Sequence, residues 1–545
     1  MKIYKIILAI VTTVIFVLPA CKKDFLDEKV YSKFTPEALS DSLAFEAGII
    51  GLQSQYSLWN TMNENQNGNQ GFLCVWQMGT DVAYNKAPDD LDPMSIPYTN
   101  YEKLNSADLS SEFLWKWAYN IINNANVVIV NIDKPELTVS ERFKNKIKAQ
   151  AMFYRALSYN YLATLYGGVP LITEPLSAPK TDFVRAAVKD VNDLIVSDLN
   201  FAKVNAPSID ELAAKSLPNK FMASQLLAEA YLRIGGKDKE AEAECDAIIN
   251  SGQFSLIKNR YGVKASQPGD PFADMFIFGN QRRLQGNTEA IWVEETENPA
   301  SVPNGAGPDL QSKFPGYHFT GSQHRRVWGS RYYNTPGMVL SDSLGGRGIS
   351  RLALTYFVLN LYSKDDMRNS PYNLRRKYYY NDPSSPKYRQ LVVPGPGIDT
   401  NRNIVPKINK WDQFDPNDTF GSSMIKDFII MRLGETYLLK AEAQLKQGNT
   451  SGAAASINVL RDRAHAGSVL AANITMDFIL DERVRELIGE ENRRMTLMRT
   501  GMLLKRVVGR GLKITGLSDK INLLPIPQSE IDLNKDAKLE QNPGY

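Results

Sequence analysis

Apolar residues recur at helical intervals in seven separate blocks of the chain, and these blocks predict a mainly α-helical protein. The clearest block covers residues 139–166, where Ile147, Tyr154 and Tyr161 recur at helical steps. A Gly-Gly pair that starts at Gly167 ends this pattern. The other predicted helices cover residues 185–203, 219–234, 238–250, 427–447, 451–465 and 476–499.

One segment occurs twice, and both copies lie in helical patterns. Ala228-Glu-Ala-Tyr-Leu-Arg-Ile-Gly235 matches Ala441-Glu-Ala-Gln-Leu-Lys-Gln-Gly448. Small alanines allow helices to approach closely, and the glycine ends the first helix before a second begins. Each copy therefore resembles a tetratricopeptide unit, in which two helices pack around a turn. Two unrelated alanine-rich helices are the alternative, and the copies are too far apart to form a tandem array.

Two long stretches lack this helical rhythm. Residues 252–425 are rich in Gly, Pro, Asn, Ser and Tyr, although Ala290 to Glu294 is predicted to form a short strand. A long irregular stretch in a helical protein is usually functional or disordered, and the aromatic content here argues against disorder. We predict one domain over residues 36–545, with a helical scaffold at 36–58, 111–250 and 426–505 and loop-rich ligand-binding regions at 59–110 and 252–425.

The N-terminus has the pattern of a bacterial lipoprotein signal peptide. A short basic region precedes an uncharged run from Ile6 to Leu18, which is too short to span a bilayer. The following Leu18-Pro-Ala-Cys21 resembles a lipobox, so residues 1–20 would be removed and the thiol of Cys21 would carry diacylglycerol. Residues 21–35 would then form a lipidated tether that anchors the protein without crossing the membrane. Ordinary signal cleavage beside a chance cysteine is the alternative.

The composition and the motifs narrow the function further. The formal net charge is only +3, which gives no electrostatic case for nucleic-acid binding. With Cys21 lipidated, Cys74 and Cys245 remain, far apart in sequence, so no disulfide framework is expected. The three histidines and three cysteines show no metal-ligand spacing, and no nucleophile elbow or phosphate-binding loop occurs. We therefore predict no metal, no cofactor and no catalytic residue.

Several segments, in their order along the chain, resemble the SusD/RagB family. They are Ala151-Met-Phe-Tyr-Arg-Ala-Leu-Ser-Tyr-Asn-Tyr-Leu162 with Leu165-Tyr-Gly-Gly-Val-Pro-Leu-Ile172, Arg432-Leu-Gly-Glu-Thr-Tyr-Leu-Leu-Lys-Ala-Glu-Ala443, Asp481-Glu-Arg-Val-Arg-Glu-Leu487 and the final Gln541-Asn-Pro-Gly-Tyr545. Any one of them is weak evidence, but their combination behind a lipobox is specific.

The resemblance implies a scaffold of four tetratricopeptide-like helix pairs with a loop-rich ligand region. It also implies a position on the outer face of the outer membrane of a Bacteroidetes-type bacterium, as a lid over a TonB-dependent, SusC-like transporter. The ligands implied are oligosaccharides, or peptides for some members of the family.

The charged stretch that begins at Asp481 invites a catalytic interpretation, because carboxylates and arginines crowd together there. Helical spacing gives a simpler one. Asp481 and Arg485 are four residues apart, as are Glu490 and Arg494, so each pair can interact along one helix face. We interpret the stretch as structural.

Sugar rings have apolar faces and polar edges, so a sugar site needs flat aromatic platforms beside hydrogen-bonding groups. Rings on irregular segments are the better candidates. We predict ligand contacts first at Trp328, then at Tyr332 and Tyr333, and after these at Trp76 and Tyr84; packing against the scaffold is the alternative for each. Three tryptophans in regular patterns are predicted to be core residues: Trp115, Trp117 and Trp292.

Three functions remain. The first is a surface lipoprotein that binds oligosaccharides or peptides and passes them to a transporter. The second is a lipid-anchored, tetratricopeptide-like scaffold for protein–protein interaction, and the third is a carbohydrate-active enzyme, for which two facing carboxylates would suffice. The aromatic-rich insertion favours the first, and the third is the least favoured.

Overall fold

The computed structural model describes residues 39–59, 73, 75–86, 96–176, 178–296, 324–412, 426–510, 512 and 514–545. The predicted signal peptide, Cys21, the tether and Cys74 lie outside these residues, and Cys245 is fully buried. The helices are α1 Ser42–Ser57, α2 Leu109–Ile132, α3 Glu141–Tyr166, α4 Val188–Asn205, α5 Lys220–Ile234, α6 Asp238–Ile249, α7 Pro271–Asp274, α8 His324–Trp328, α9 Tyr356–Leu359, α10 Leu433–Lys446, α11 Thr450–Arg463, α12 Met476–Leu487, α13 Arg493–Arg499, α14 Leu503–Gly509 and α15 Gln528–Leu533. The strands are β1 Ala83–Tyr84, β2 Ala290–Glu294, β3 Ala353–Leu354, β4 Leu374–Arg375, β5 Lys407–Ile408 and β6 Phe428–Arg432.

Side-chain caps fix where two of the long helices, α2 and α3, begin. The carboxylate of Asp108 accepts a hydrogen bond from the backbone N–H of Ser111 at the start of α2. The hydroxyl of Ser140 does the same for Phe143 at the start of α3, two residues later than the predicted boundary. Each cap satisfies an N–H group that has no partner inside its own helix.

The long helices pack in chain order. α2 packs on α3, α3 on α4, α4 on α5 and α5 on α6. The chain then leaves the scaffold, and when it returns α10 packs against α6 and against α11. The two copies of the repeated segment therefore lie on α5 and α10, the helices that flank α6. The prediction of a mainly helical, tetratricopeptide-like scaffold with a large irregular insertion is confirmed.

The glycines that end the two repeated segments serve the same purpose. Gly235 has φ +81° and Gly448 has φ +79°, a left-handed conformation that other residues rarely adopt. A side chain at either position would meet no neighbouring atom. Backbone conformation, and not space, therefore selects glycine at both helix ends.

An antiparallel strand pair attaches the insertion to the scaffold. The predicted strand Ala290–Glu294 is β2, and it pairs with β6, which leads directly into α10. The helix predicted over 427–447 is therefore wrong in its first residues, which form this strand. β6 lies where the scaffold resumes. Its pairing with β2 therefore fixes the insertion to the scaffold at that point.

The helix predicted over 476–499 is two helices, α12 and α13, because the chain turns at Gly489. Gly489 has φ +80°, and a Cβ there would lie 2.3 Å from Ile408 Cδ1 and 3.0 Å from Trp411 Nε1. Only glycine permits both this conformation and this close approach. Glu490 lies in this break and not in a continuous helix. The helical spacing on which its predicted pairing depended is therefore absent.

The ion pairs predicted within this stretch are therefore corrected. Arg485 pairs with Glu482 at 2.8 Å and not with Asp481, which pairs with Arg506 at 2.6 Å. Glu490 pairs with Arg432 in β6. The pair Glu482–Arg485 lies within α12, whereas the partners of Asp481 and Glu490 lie on other elements, so these two carboxylates make tertiary contacts.

Glu486 is the centre of the largest of these ion-pair clusters. Its carboxylate lies 2.6 Å from Arg432 Nη1 and 2.9 Å from Arg368 Nη1, and it also contacts Arg463. Glu289 shares Arg432 and Arg463 with it. Burial alone would raise the pKa of Glu486, but the three arginines hold it well below its ordinary value.

We predict that Glu486→Gln lowers the free energy of unfolding by about 3–5 kcal/mol, because it leaves buried arginines without their shared counter-charge. Urea denaturation followed by circular dichroism measures this change. Glu240→Gln, an exposed carboxylate on α6, is the control and should leave the free energy of unfolding within about 0.5 kcal/mol of the wild type.

We also infer that residues 36–545 unfold as one unit, because the cluster around Glu486 joins the insertion to the C-terminal scaffold helices, and α10 among these packs against α6. Far-ultraviolet and near-ultraviolet signals should then change in one coincident urea transition. Two separate transitions, or a wild-type stability for Glu486→Gln, would contradict this inference.

Candidate functional site

A crevice of about 100 Å³ lies where the inserted segments meet the scaffold. It has room for several water molecules, which is enough for one ring or chain end but not for a whole oligosaccharide. Rings form most of its wall, and its lining aromatic residues are Tyr56, Trp59, Trp76, Trp117, Tyr161, Trp292, His324, Trp328 and Phe428. We call this site the aromatic crevice.

Eight rings of the aromatic crevice are linked in one cluster of ring pairs. Tyr56 at the end of α1 lies 4.7 Å from Trp292 of β2, measured between ring centroids, and 5.8 Å from Trp117 of α2. Trp76 lies 6.0 Å from Tyr161 of α3. These separations are those of tilted and edge-to-face aromatic pairs, which favour a fixed geometry. The scaffold and the insertion thus hold the wall together from both sides.

Polar groups form the other part of the wall. The lining polar residues are Gln77, Asn160, Glu229, Glu435, Glu490, Glu491, Asn492 and Thr496. The amide of Asn160 is held from both ends: Arg233 donates to its oxygen at 2.9 Å, and its nitrogen donates to Glu229 at 3.1 Å. Donors and acceptors therefore stand beside apolar ring faces, which is the arrangement that a sugar ring requires.

His324 belongs to the crevice as a neutral aromatic ring. It stacks on Trp411 at 3.8 Å and on Phe428 at 5.2 Å, and its edge meets Trp59 at 5.8 Å. Burial lowers the pKa of its imidazole to about 3, because the charged form would lose its hydration. At neutral pH it therefore contributes a ring and not a charge.

Two of the predicted ligand-binding residues meet in the aromatic crevice. Trp76 and Trp328 both line it, although 252 positions separate them in the chain. The sequence placed Trp328 on an irregular loop; the structure places it at the end of the short helix α8, with 2% of its surface exposed. Its ring is thus a packed wall of the crevice.

Tyr332 and Tyr333 lie outside the crevice. Tyr332 is fully buried in a separate hydrophobic cluster of the insertion, and its hydroxyl donates to the carbonyl of Ser341 at 2.8 Å. The half-buried Tyr333 donates to the carbonyl of Gly348 at 2.9 Å. Both hydroxyls are thus occupied by the backbone of the insertion, and a ligand contact there stays a prediction.

Tyr84 lies at the surface in β1, opposite Ala353 of β3. It is half-buried, and Tyr356, which is 79% exposed, lies close enough to affect its titration. Burial, and then Tyr356, raises the pKa of its phenol. Tyr84 and the exposed Tyr356 are therefore neighbours.

The sequence prediction missed crevice residues that it had assigned to the core. Trp117 and Trp292 are buried, as predicted, yet both line the crevice. Helical and strand periodicity indicates only which residues face inward, and does not distinguish a filled interior from the wall of a crevice. The aromatic end of α1, at Tyr56 and Trp59, carried no such signal either.

The described residues contain no group of three His, Cys, Asp or Glu side chains that could hold a metal ion. In the same part of the chain, none of the helices has the length and apolar character needed to cross a bilayer.

Comparison with known proteins identifies relatives along the chain. Residues 397–545 match the profile of the SusD family, and residues 24–232 match a profile described as starch-binding associating with outer membrane. SusD-like protein P25 of Formosa agariphila is 26% identical over a 566-residue alignment that covers 98% of this chain and 97% of that protein. The starch-binding protein SusD of Bacteroides thetaiotaomicron is 35% identical over 124 residues, or 22% of each chain.

Solved structures show the same fold. A laminarin-binding SusD-like protein superposes with a TM-score of 0.68 at 22% identity, covering 93% of this chain and 100% of that one. Surface glycan-binding protein A from Bacteroides thetaiotaomicron, in complex with laminarihexaose, superposes with a TM-score of 0.70 at 19% identity, covering 92% of this chain and 100% of that one.

We predict that acid destabilises the protein through His324. The unfolded chain takes up a proton near the ordinary pKa of 6.5 and the folded chain only near 3, so the unfolded state binds more protons between these values. The free energy of unfolding should therefore fall as the pH falls below 6.5. Wild type should lose about 3 kcal/mol more than His324→Phe between pH 7 and pH 4, measured by urea denaturation.

His465→Asn is the control for this measurement. His465 is exposed and has φ +55°, a conformation that asparagine tolerates. This variant should keep the pH dependence of the wild type. Equal losses in wild type and His324→Phe would show that His324 is not the titrating group.

Proposed function

This chain is a member of the SusD/RagB family, and from that premise we propose that it binds oligosaccharides at the cell surface and delivers them to a TonB-dependent, SusC-like transporter. The aromatic crevice is the observation that carries the proposal. It combines ring faces with amide and carboxylate groups in one place, as sugar recognition requires. Its small volume indicates that it receives one sugar unit, with the rest of the chain outside.

We propose that Trp76 and Trp328 contact the ligand in the crevice and that Tyr84, with Tyr356, offers a further stacking surface. Flat rings supply the apolar platform, and Asn160 and Gln77 supply hydrogen bonds beside it. Laminarin and starch oligosaccharides are the first ligands to test, because relatives named for these glycans share the fold or part of the sequence.

We propose that the protein binds without catalysis. Three of the four carboxylates that line the crevice are engaged by basic residues: Glu435 and Glu491 bond to Arg483, and Glu490 bonds to Arg432 and Lys410. Glu229 alone does not make a pair of free carboxylates. A glycosidase needs one carboxylate free to protonate the leaving group and another that faces the anomeric carbon. Release of sugars by the purified protein would overturn this part of the proposal.

The scaffold alternative is less well supported. A scaffold for protein–protein interaction would use exposed helix faces, whereas the aromatic residues here converge on a crevice that the insertion completes. A peptide in place of an oligosaccharide is the alternative ligand.

We predict that Trp328→Ala weakens oligosaccharide binding by about 1–3 kcal/mol, by analogy with the loss of one base-stacking ring. Because Trp328 is buried, the same change should lower the free energy of unfolding by about 3–5 kcal/mol. Calorimetry against a panel of glycans, at a temperature where the variant is folded, measures the change in binding free energy.

Trp115→Ala is the matched control for this variant. Trp115 is a tryptophan of α2 with 3% of its surface exposed, and it does not line the crevice. It should lose similar stability and keep full affinity. Equal affinities for wild type and Trp328→Ala would remove Trp328 from the site. If no oligosaccharide binds to the wild type, the proposed function fails.

We predict that Cys21→Ala releases the protein from membranes. The proposed anchor is the lipid on Cys21, and several acyl chains hold a protein stably whereas none remain without that thiol. Fractionation should find the wild type in the outer membrane, sensitive to external protease, and the variant in the soluble fraction. A variant that still sediments with membranes would contradict the anchor.

The transporter is tested in the same preparation. Mild detergent extraction of the wild type should co-purify a large β-barrel protein. An intact lipoprotein that never brings such a partner would favour the scaffold alternative.

A further inference from the structure

The charge of the aromatic crevice indicates which sugars it selects. We propose that the crevice prefers an amino sugar whose ammonium group is free, an inference that rests on the proposed function and narrows its substrate class. Four carboxylates line the crevice, while no lysine or arginine among the described residues does. The four are Glu229, Glu435, Glu490 and Glu491.

The basic partners of these carboxylates lie behind the wall. Arg483 is 2.7 Å from Glu435 and 2.8 Å from Glu491, yet it is not a lining residue. Arg432 and Lys410, which hold Glu490, are not lining residues either. Acidic oxygens are therefore nearer to the cavity than the charges that balance them, and a group entering the crevice meets the acidic side first.

Glu229 is the carboxylate best placed to accept a ligand. It forms no ion pair with any residue in the described part of the chain, and its carboxylate accepts a hydrogen bond from the amide nitrogen of Asn160 at 3.1 Å. Arg233, one helical turn further along α5, donates to the oxygen of the same amide and is the basic group near Glu229. Glu435 lies close by: burial raises its pKa, Arg483 opposes this, and Glu229 and Glu491 raise it further. A bound cation would relieve this repulsion between carboxylates.

The aromatic wall adds to the attraction for a cation. The face of a tryptophan or tyrosine ring attracts ammonium groups within about 6 Å of its centre. Tyr161 lies near enough to both Glu229 and Glu435 for their charges to raise the pKa of its phenol, and Trp76 lies 6.0 Å from it. Ring faces and carboxylates thus meet at one end of the crevice.

Unpaired donors distinguish an amino sugar from a simple amine. The indole N–H groups of Trp59 and Trp292, two of the lining residues, are buried and have no hydrogen-bond partner in the described residues. A buried donor without a partner is costly, and a hydroxyl oxygen would satisfy it. The crevice is therefore complementary to a ligand that combines an ammonium group, an apolar ring face and hydroxyl oxygens. A hexosamine has all three.

The test compares two ligands that differ in charge. Calorimetry on the full chain in mild detergent would measure the affinity for a glucosamine hexamer and for an N-acetylglucosamine hexamer. The affinity for an oligolysine peptide would be compared with both. The glucosamine hexamer should bind at least about tenfold more tightly than its acetylated form. Glu229→Gln, which keeps the shape of the side chain, should lower affinity for the glucosamine hexamer about tenfold, and the exposed Glu240→Gln should leave it unchanged.

The outcomes separate this inference from the proposed function. Equal or weaker binding of the glucosamine hexamer, or a Glu229→Gln variant that is folded and keeps the wild-type affinity, overturns the inference. If neutral glycans bind in that case, the proposed function stands. Tight binding of oligolysine with no binding of any sugar overturns both, because the cation would then come from a peptide.

Discussion

The carboxylate of Glu486 is the contact on which the rest of the structure depends. It is buried on α12, and it draws together arginines from β6, from α11 and from the segment around Arg368 in the insertion. A single buried charge would be too costly to retain, but a carboxylate that shares three guanidinium groups is stable and also directional. The cluster therefore sets how the last scaffold helices and the insertion meet.

The aromatic crevice is a consequence of that meeting. Its wall takes Tyr56 and Trp117 from the scaffold and Trp292 from the strand of the insertion that pairs with β6. β6 also carries Arg432, so the same strand connects the ion-pair cluster to the crevice. Buried ion pairs can be retained for the specific geometry that they impose. In this protein, that geometry keeps rings and carboxylates together in the wall of one small cavity.

Family membership and site chemistry answer different questions here. Family membership is the premise of the proposed binding role, whereas one fold can carry many ligand preferences. The preference must come from the residues of the crevice. In this chain, Glu229 is among the described lining residues and no basic side chain is. These two features are the basis of the proposed preference for an amino sugar.

The sequence by itself determined most of the scaffold helices, the repeated unit and the family, because periodicity, glycine stops and local motifs act over a few turns of chain. It also identified Trp76 and Trp328 as candidates. It could not show that Trp117 and Trp292 line a cavity, because periodicity indicates burial and not what a buried ring faces. It could not find the partners of Glu486 either, since these arginines come from segments distant in the chain. Only the tertiary structure brings such residues together, and both the ion-pair cluster and the crevice arise from those long-range contacts.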